Sequence, residues 1–413
     1  MRLVPGISEK GLTGAAIWYD GFMRNTERLT LSFILSASNS GAVVANYAKV
    51  TGFILEGKNI LGAKVNDLLH GRNFEIRAKM TLNASGPWVR KVLGLLPQAP
   101  SNHAVGLSKV FCLVTRPITK DYAVAVFAKP MYRDKDSLVN KGAQLLFAIP
   151  WRNHSLIGSI HLPYSGDPDR FGVSKDDVKG LIDQFNEGYP SARLSMNDVR
   201  LTYKGMMPTE VEGSTAPKKH YEIINHQKED GLAGLISIIG VKYTTARDVA
   251  EKAVNYVFKT LNIPVPKSKT ARTPLYGGDI EIFDEFLKQE ISKHSKELGE
   301  NVLRHLIFSY GSAYEGILKY GKENAEFMEN VSGSKEVIKA EIIHAIRKEM
   351  GCKLCDVVFR RTDLGTLGHP GKTTLNACAD IMAHELGWDK ARIQKEIADV
   401  ESFYSLENGV LAQ

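Results

Sequence analysis

The chain has 413 residues, 43% apolar and 24% charged, enough for a large core divided over two or three domains. Its formal charge of +7 suits an anionic substrate or an anionic membrane surface, whereas no basic run interleaved with aromatics marks a nucleic-acid face, so no nucleic acid is expected as a partner. No apolar run approaches the roughly 18 residues that cross a bilayer and no signal peptide opens the sequence, which leads us to expect a cytoplasmic protein with at most peripheral contact at the inner face of the cell membrane.

In chain order, residues 15–47 read as a helix rich in small apolar residues, with Ala42-Val43-Val44-Ala45 as a buried strand behind it. Three strand-like stretches follow, Val50–Leu55, Ile60–Val65 and Phe74–Leu82, separated by the turns Gly57-Lys58-Asn59 and His70-Gly71-Arg72-Asn73. In the third, Glu75, Arg77 and Lys79 alternate with Ile76, Ala78 and Met80, the period of a half-exposed strand. Further strands are expected at Val110–Thr115, Ala123–Phe127, Leu145–Ile149 and Leu156–His161. One helix carries Val178, Leu181, Ile182 and Phe185 on one face behind a Ser174-x-x-Asp177 capping box. Strands with one helix laid across them predict an α+β unit.

Leu235–Ile239 is a short continuous apolar run, as expected of a strand buried on both faces. The helix after it has an apolar stripe of Ala246, Val249, Ala250, Ala253, Val254, Val257 and Leu261, with Thr245-x-x-Asp248 placed to cap its start. Pro264 and Pro266 end it and open a linker through Gly277-Gly278, beyond which only helical patterns occur. Four cysteines in a chain this long make no disulfide framework. Cys352-x-x-Cys355 lies inside a helical pattern and offers half of a zinc ligand set, so no metal site is expected.

Two segments carry chemistry. Asn83-Ala84-Ser85-Gly86-Pro87-Trp88 follows a strand with small residues, whose amides can approach a diphosphate or ribose. Gly240-Val241-Lys242-Tyr243-Thr244-Thr245-Ala246-Arg247 carries a buried strand into a helix N-terminus, where free amides and the helix dipole favour negative charge. Either segment alone also reads as an ordinary capped strand-to-helix turn.

In this order and separation the two segments resemble the second and last cofactor-contacting motifs of FAD-dependent glycerol-3-phosphate dehydrogenases, Asn-Ala-Thr/Ser-Gly-Pro-Trp and Gly-Gly-Lys-x-Thr-Thr-x-Arg. Ala45–Phe53 resembles that family's strand near the adenosine. Ile149-Pro150-Trp151, Ile157-Gly158-Ser159 and Tyr164–Pro168 resemble its substrate-domain strands, and Arg347–Met350 with Asp356–Thr362 its helical cap. The resemblance implies an α/β plus α+β fold in three parts. These are a Rossmann-like FAD-binding domain (1–104 and 204–264), a β-rich substrate domain (105–203) and an all-helical C-terminal domain (278–413). It implies oxidation of sn-glycerol 3-phosphate to dihydroxyacetone phosphate by hydride transfer to FAD, with electrons passing to a quinone or other acceptor. Val50, Ala84, Ser85, Gly86, Trp88, Gly240, Val241, Lys242, Thr244 and Thr245 would contact the cofactor. Lys242, as the catalytic lysine, and Lys219 would meet the small phosphorylated polyol.

The chain departs from the pattern in several places. The family's Gly-x-Gly-x-x-Gly loop has no counterpart, since Gly6, Gly11 and Gly14 lack its spacing and preceding strand. The FAD-binding domain is therefore expected to be incomplete, without a stably co-purifying flavin. Phe111 stands where the family has a histidine and Met207 where it has a substrate-binding arginine, a loss of about 1.5–3 kcal/mol for a phosphate contact. Lys219 keeps the charge of a second arginine without its bidentate fork. Two alternatives therefore stay open, a different hydroxy or amino substrate, or a chain that works with a separate nucleotide-binding segment. No base for the hydroxyl proton stands out, and His154 and His161 read as ordinary strand or turn histidines.

Overall fold

The computed structural model describes residues 4–9, 12–98, 106–127, 145–240, 242–295 and 297–404. Helix α1 (Thr26–Asn39) begins where Asn25 Oδ1 accepts from the Arg28 amide and stops before Gly41, whose φ is +94°. It is much shorter than expected. Residues 12–23 have neither helix nor strand, and Ala42–Ala45 form no strand, with Val43 fully exposed. Small apolar residues supplied composition there but no packed face.

Strands β1 (Ala48–Glu56), β2 (Asn59–Asp67) and β3 (Arg72–Arg77) form an antiparallel meander. The single strand expected over Phe74–Leu82 is divided, because β3 ends at Arg77 and β4 (Thr81–Asn83) joins another sheet. Every residue of β3 is exposed, so its alternation does not reflect a buried face. Gly62 (φ +146°) fits beneath β3 only because it lacks a side chain, since a Cβ would meet the Ile76 carbonyl at 1.9 Å.

The second sheet is ordered β10 (Glu222–Asn225), β11 (Leu235–Ile239), β4. β10 pairs antiparallel with β11, and β11 pairs parallel with β4. The meander covers this sheet through Phe53 and Ile60, which cluster with Leu235 and with Val89 and Leu93 of α2 (Val89–Leu93). A short helix α4 (His226–Glu229) connects β10 to β11.

The third sheet is ordered β6 (Val124–Phe127), β7 (Leu145–Trp151), β8 (His154–Tyr164), β5 (Gly106–Thr115), β9 (Val199–Thr209) and is antiparallel throughout. Its core faces α3 (Lys175–Gly188), whose Val178, Leu181, Ile182 and Phe185 are buried against Phe111, Leu113, Leu146 and Ile157. Each such side chain contributes about 1.5–3 kcal/mol. The expected capping box is present: the Asp177 amide donates to Ser174 Oγ and the Ser174 amide to Asp177 Oδ2. β9 runs through the boundary expected at 203/204, so residues 204–209 belong to this sheet.

Helix α5 (Ala246–Thr260) follows β11 but buries only Val249 and Ala253 of its stripe. The C-terminal part is helical, with α6 (Phe283–His294), α7 (Glu300–Tyr310), α8 (Glu315–Leu318), α9 (Lys339–Lys348), α10 (Lys372–Leu386) and α11 (Lys390–Tyr404). The helix expected across the cysteine pair breaks after Lys348 and resumes as a π turn, Asp356–Arg361. Both cysteines are free thiols, and burial pushes Cys355 up to about 12, which fits packing better than redox chemistry. Arg28 of α1 anchors this region: it donates to buried Glu349 at 2.7 Å and to the Ser309 carbonyl at 3.0 Å. Among the described residues no helix is long and apolar enough to cross a membrane.

Candidate functional site

Parallel pairing sets the geometry. Ser237 of β11 lies opposite Asn83 of β4, so both strands deliver their C-terminal ends to one edge of the sheet. Ala84–Gly86 leaves from one strand and Gly240–Thr245 from its neighbour. Crevices at the carboxyl ends of parallel strands are where open α/β sheets bind ligands.

Asn83 shapes the first turn. Its side chain is buried, donates to the Val89 carbonyl at 3.1 Å and accepts from Ser85 Oγ at 2.6 Å. Gly86 then takes φ +57° with open space where a Cβ would project. The Trp88 indole N–H donates to Asp169 Oδ1 at 2.6 Å, and Lys91 also binds Asp169. Trp88 thereby ties the turn to the loop after β8. A cleft of about 170 Å³ opens beside it, lined by Pro87, Arg90, Lys91, Tyr164 and Glu212.

In the second segment Gly240, Lys242, Thr244 and Thr245 are all exposed, and Val241 lies outside the described residues. The expected Thr245–Asp248 cap does not form. Thr245 Oγ1 donates back to the Lys242 carbonyl at 3.1 Å, and Asp248 pairs with Lys252 at 2.8 Å. The first turn of α5 thus has no side-chain cap, and its Ala246 amide donates to the Tyr243 carbonyl of the turn that leads into it.

The substrate-side residues divide. Glu222 pairs with Ile239, which puts Lys219, three residues earlier, at the Gly240 end of the sheet. The Lys218 amide donates to the Pro208 carbonyl at 2.7 Å, joining that stretch to the end of β9 beside Met207. Met207 itself pairs with Ser108. Phe111 is a correction. It is 1% exposed in the core under α3, on the face of the sheet that also carries Lys109, which reaches Asp177. Alternation places Ser108, Val110 and Met207 on the opposite face. Val50 sits in the meander opposite Val65, in a different sheet from the strand ends.

Two features escaped the sequence reading. His226 is fully buried, with Nδ1 2.6 Å from Asp230 and Nε2 2.7 Å from Ser237 Oγ. It resembles a hydrolase triad, but Ser237 is buried too, so the trio braces β11 rather than meeting substrate. His161 shares a row with Val110 and Gly205, on the Met207 face. Its Nδ1 is buried without a hydrogen-bond partner, and burial lowers its pKa below the usual 6.5. His226 and Asp230 are four residues apart, but only strand pairing brings His161 to the Met207 face.

These residues fit a phosphate-bearing flavin at the strand ends: an uncapped helix N-terminus, two glycines open to close approach, and a lysine with two hydroxyls. Gly6 lies in a turn and Gly14 in an irregular stretch, and Gly11 lies outside the described residues.

Comparison with known proteins agrees. The family of FAD dependent oxidoreductases matches residues 1–233, and the C-terminal domain of alpha-glycerophosphate oxidase matches residues 268–393. A glycerol-3-phosphate dehydrogenase of Synechocystis sp. is 30% identical over 96% of this chain and 72% of that protein. A probable mitochondrial glycerol-3-phosphate dehydrogenase of Dictyostelium discoideum is 28% identical over 95% of this chain, which spans 62% of its length. The crystal structure of the glycerol-3-phosphate dehydrogenase from Bacillus halodurans complexed with FAD superposes with a TM-score of 0.75 at 27% identity, over 92% of this chain and 73% of that one.

Proposed function

The chain belongs to the FAD dependent oxidoreductase family, and on that premise we propose that it oxidises sn-glycerol 3-phosphate to dihydroxyacetone phosphate. The observation that carries this reading is the convergence of Ala84–Gly86 and Gly240–Thr245 at one edge of the parallel pair. The chemistry that bound FAD supplies is acceptance of the hydride from substrate C2.

The chain's own residues bind, orient and hold charge. The dipole of α5 favours an anionic group at its N-terminus. Lys242 and Lys219 supply the cationic side chains for the phosphorylated substrate. His161, neutral at pH 7 and with an unpartnered ring nitrogen, is the group we assign to take the hydroxyl proton. Electrons then pass to a quinone or another acceptor, and the net positive charge suits peripheral contact with the inner face of the cell membrane.

Met207 motivates a second reading, in which the substrate is less anionic. Turnover on a panel of phosphorylated and non-phosphorylated polyols, with FAD and an artificial electron acceptor, separates the two. Faster turnover of glycerol 3-phosphate supports the first reading; equal or faster turnover of non-phosphorylated alcohols sinks it.

A further inference from the structure

We propose that Glu290, His294 and Glu315 form a binding site for a divalent cation of the Zn²⁺ or Mn²⁺ class, in the helical C-terminal part and away from the strand ends. Glu290 and His294 lie one turn apart on α6 and face the same way. Glu315 opens α8 and is carried to them by the packing of Tyr314 against Phe286. One ligand atom from each of the three lies within 4.8 Å of the others. Donors around a zinc ion stand about 3.4 Å apart, so the three ligand atoms would draw closer together around an ion.

The imidazole is the second, independent pointer. His294 Nδ1 lies 3.2 Å from Glu297 Oε2, which assigns the ring proton to Nδ1 and leaves the lone pair on Nε2. Nε2 is buried, makes no hydrogen bond and stands 4.0 Å from Glu290 Oε2. A histidine that donates one nitrogen to a carboxylate and offers the other is arranged as metal-binding histidines are. The Tyr314 hydroxyl donates to Glu290 Oε2 and fixes that carboxylate in turn.

A cation already occupies this place. Lys293 Nζ lies 2.7 Å from Glu315 Oε1 and 3.3 Å from Glu290 Oε2. Its side chain is 52% exposed and can swing into solvent, so a metal ion would replace one cation by another of higher charge. One imidazole with two carboxylates suits a borderline divalent ion that keeps water at its open positions, since Glu315 is at the surface. Bound there, the ion would clip α6 to α8.

The test is calorimetric titration of the full chain with ZnCl₂ and, separately, MnCl₂. It uses wild type, His294→Ala, Glu315→Gln, Lys293→Ala and a Cys352→Ser/Cys355→Ser double variant, each checked for native circular dichroism. We expect one ion per chain in wild type and in the double-cysteine variant, binding at least about tenfold weaker in His294→Ala and Glu315→Gln, and tighter binding in Lys293→Ala. Zinc should also raise the melting temperature of wild type and not of His294→Ala. Absence of binding, unchanged affinity in His294→Ala, or loss of the ion only in the cysteine variant would overturn the proposal.

Discussion

Ser237 and Asn83 are register partners across the parallel pair β11–β4, and both side chains are buried. Asn83 braces the turn that follows β4, and Ser237 is held by the His226–Asp230 pair. The two strand ends at the candidate site are thus fixed from beneath by polar side chains rather than by the turns themselves.

Asn83→Leu would remove the donor to Val89 and the acceptor for Ser85 Oγ at a buried position. We expect a loss of about 1–3 kcal/mol in urea unfolding, with weaker flavin binding because Ala84–Gly86 loses its shape. Unchanged stability would show that the turn is held otherwise.

The Arg28–Glu349 pair predicts acid sensitivity. Burial alone would raise the Glu349 pKa, but the charge and hydrogen bond of Arg28, aided by His344, pull it down to about 2. A carboxylate depressed on folding contributes stability above its unfolded pKa of about 4.3 and loses it as pH falls toward 2. A shift of about two units corresponds to roughly 3 kcal/mol. Chemical denaturation between pH 5 and pH 2 should show this loss. Arg28→Met, which strands the buried carboxylate, should cost about 3–5 kcal/mol at neutral pH and flatten that acid dependence. An acid profile identical to wild type would contradict the assignment.

Much of the scaffold was legible because single chemical signals decide it. The Ser174–Asp177 box and the Val178–Phe185 stripe specify α3 locally, and the run Leu235–Ile239 reads as a buried strand by composition alone. Features that depend on partners were not. Phe111 was placed by alignment to a site position, yet the parity of β5 turns it into the core. Thr245 has the spacing of a cap, but its hydroxyl found the Lys242 carbonyl instead. Helix α1 is bounded by Asn25 and Gly41, whereas the long small-residue stretch around it has no element to pack on. His161 becomes notable only once three strands bring it to the Met207 face.

His161→Asn should lower kcat by about 10²-fold or more if the imidazole accepts the hydroxyl proton. The base acts unprotonated, and burial lowers its pKa, so wild-type activity should hold through neutral pH and fall only below 6.5. The variant should lose that acidic limb. A full limb in His161→Asn would assign it to another group.

Lys242→Met and Met207→Arg probe the anion site from opposite directions. Lys242 is exposed, so its loss should leave the melting temperature unchanged while lowering kcat/KM about tenfold to a hundredfold. Met207→Arg should lower KM for the phosphorylated substrate about tenfold and leave non-phosphorylated alcohols unaffected. Equal effects on both substrate classes would remove the phosphate from the account.

The most direct test is anaerobic addition of sn-glycerol 3-phosphate to the purified protein supplemented with FAD, followed by the visible flavin band. The account predicts that the band bleaches with glycerol 3-phosphate, that dihydroxyacetone phosphate forms in equal amount, and that Lys242→Met slows both. A flavin that binds yet stays oxidised with glycerol 3-phosphate, while another alcohol or an amine bleaches it, would contradict the proposed reaction.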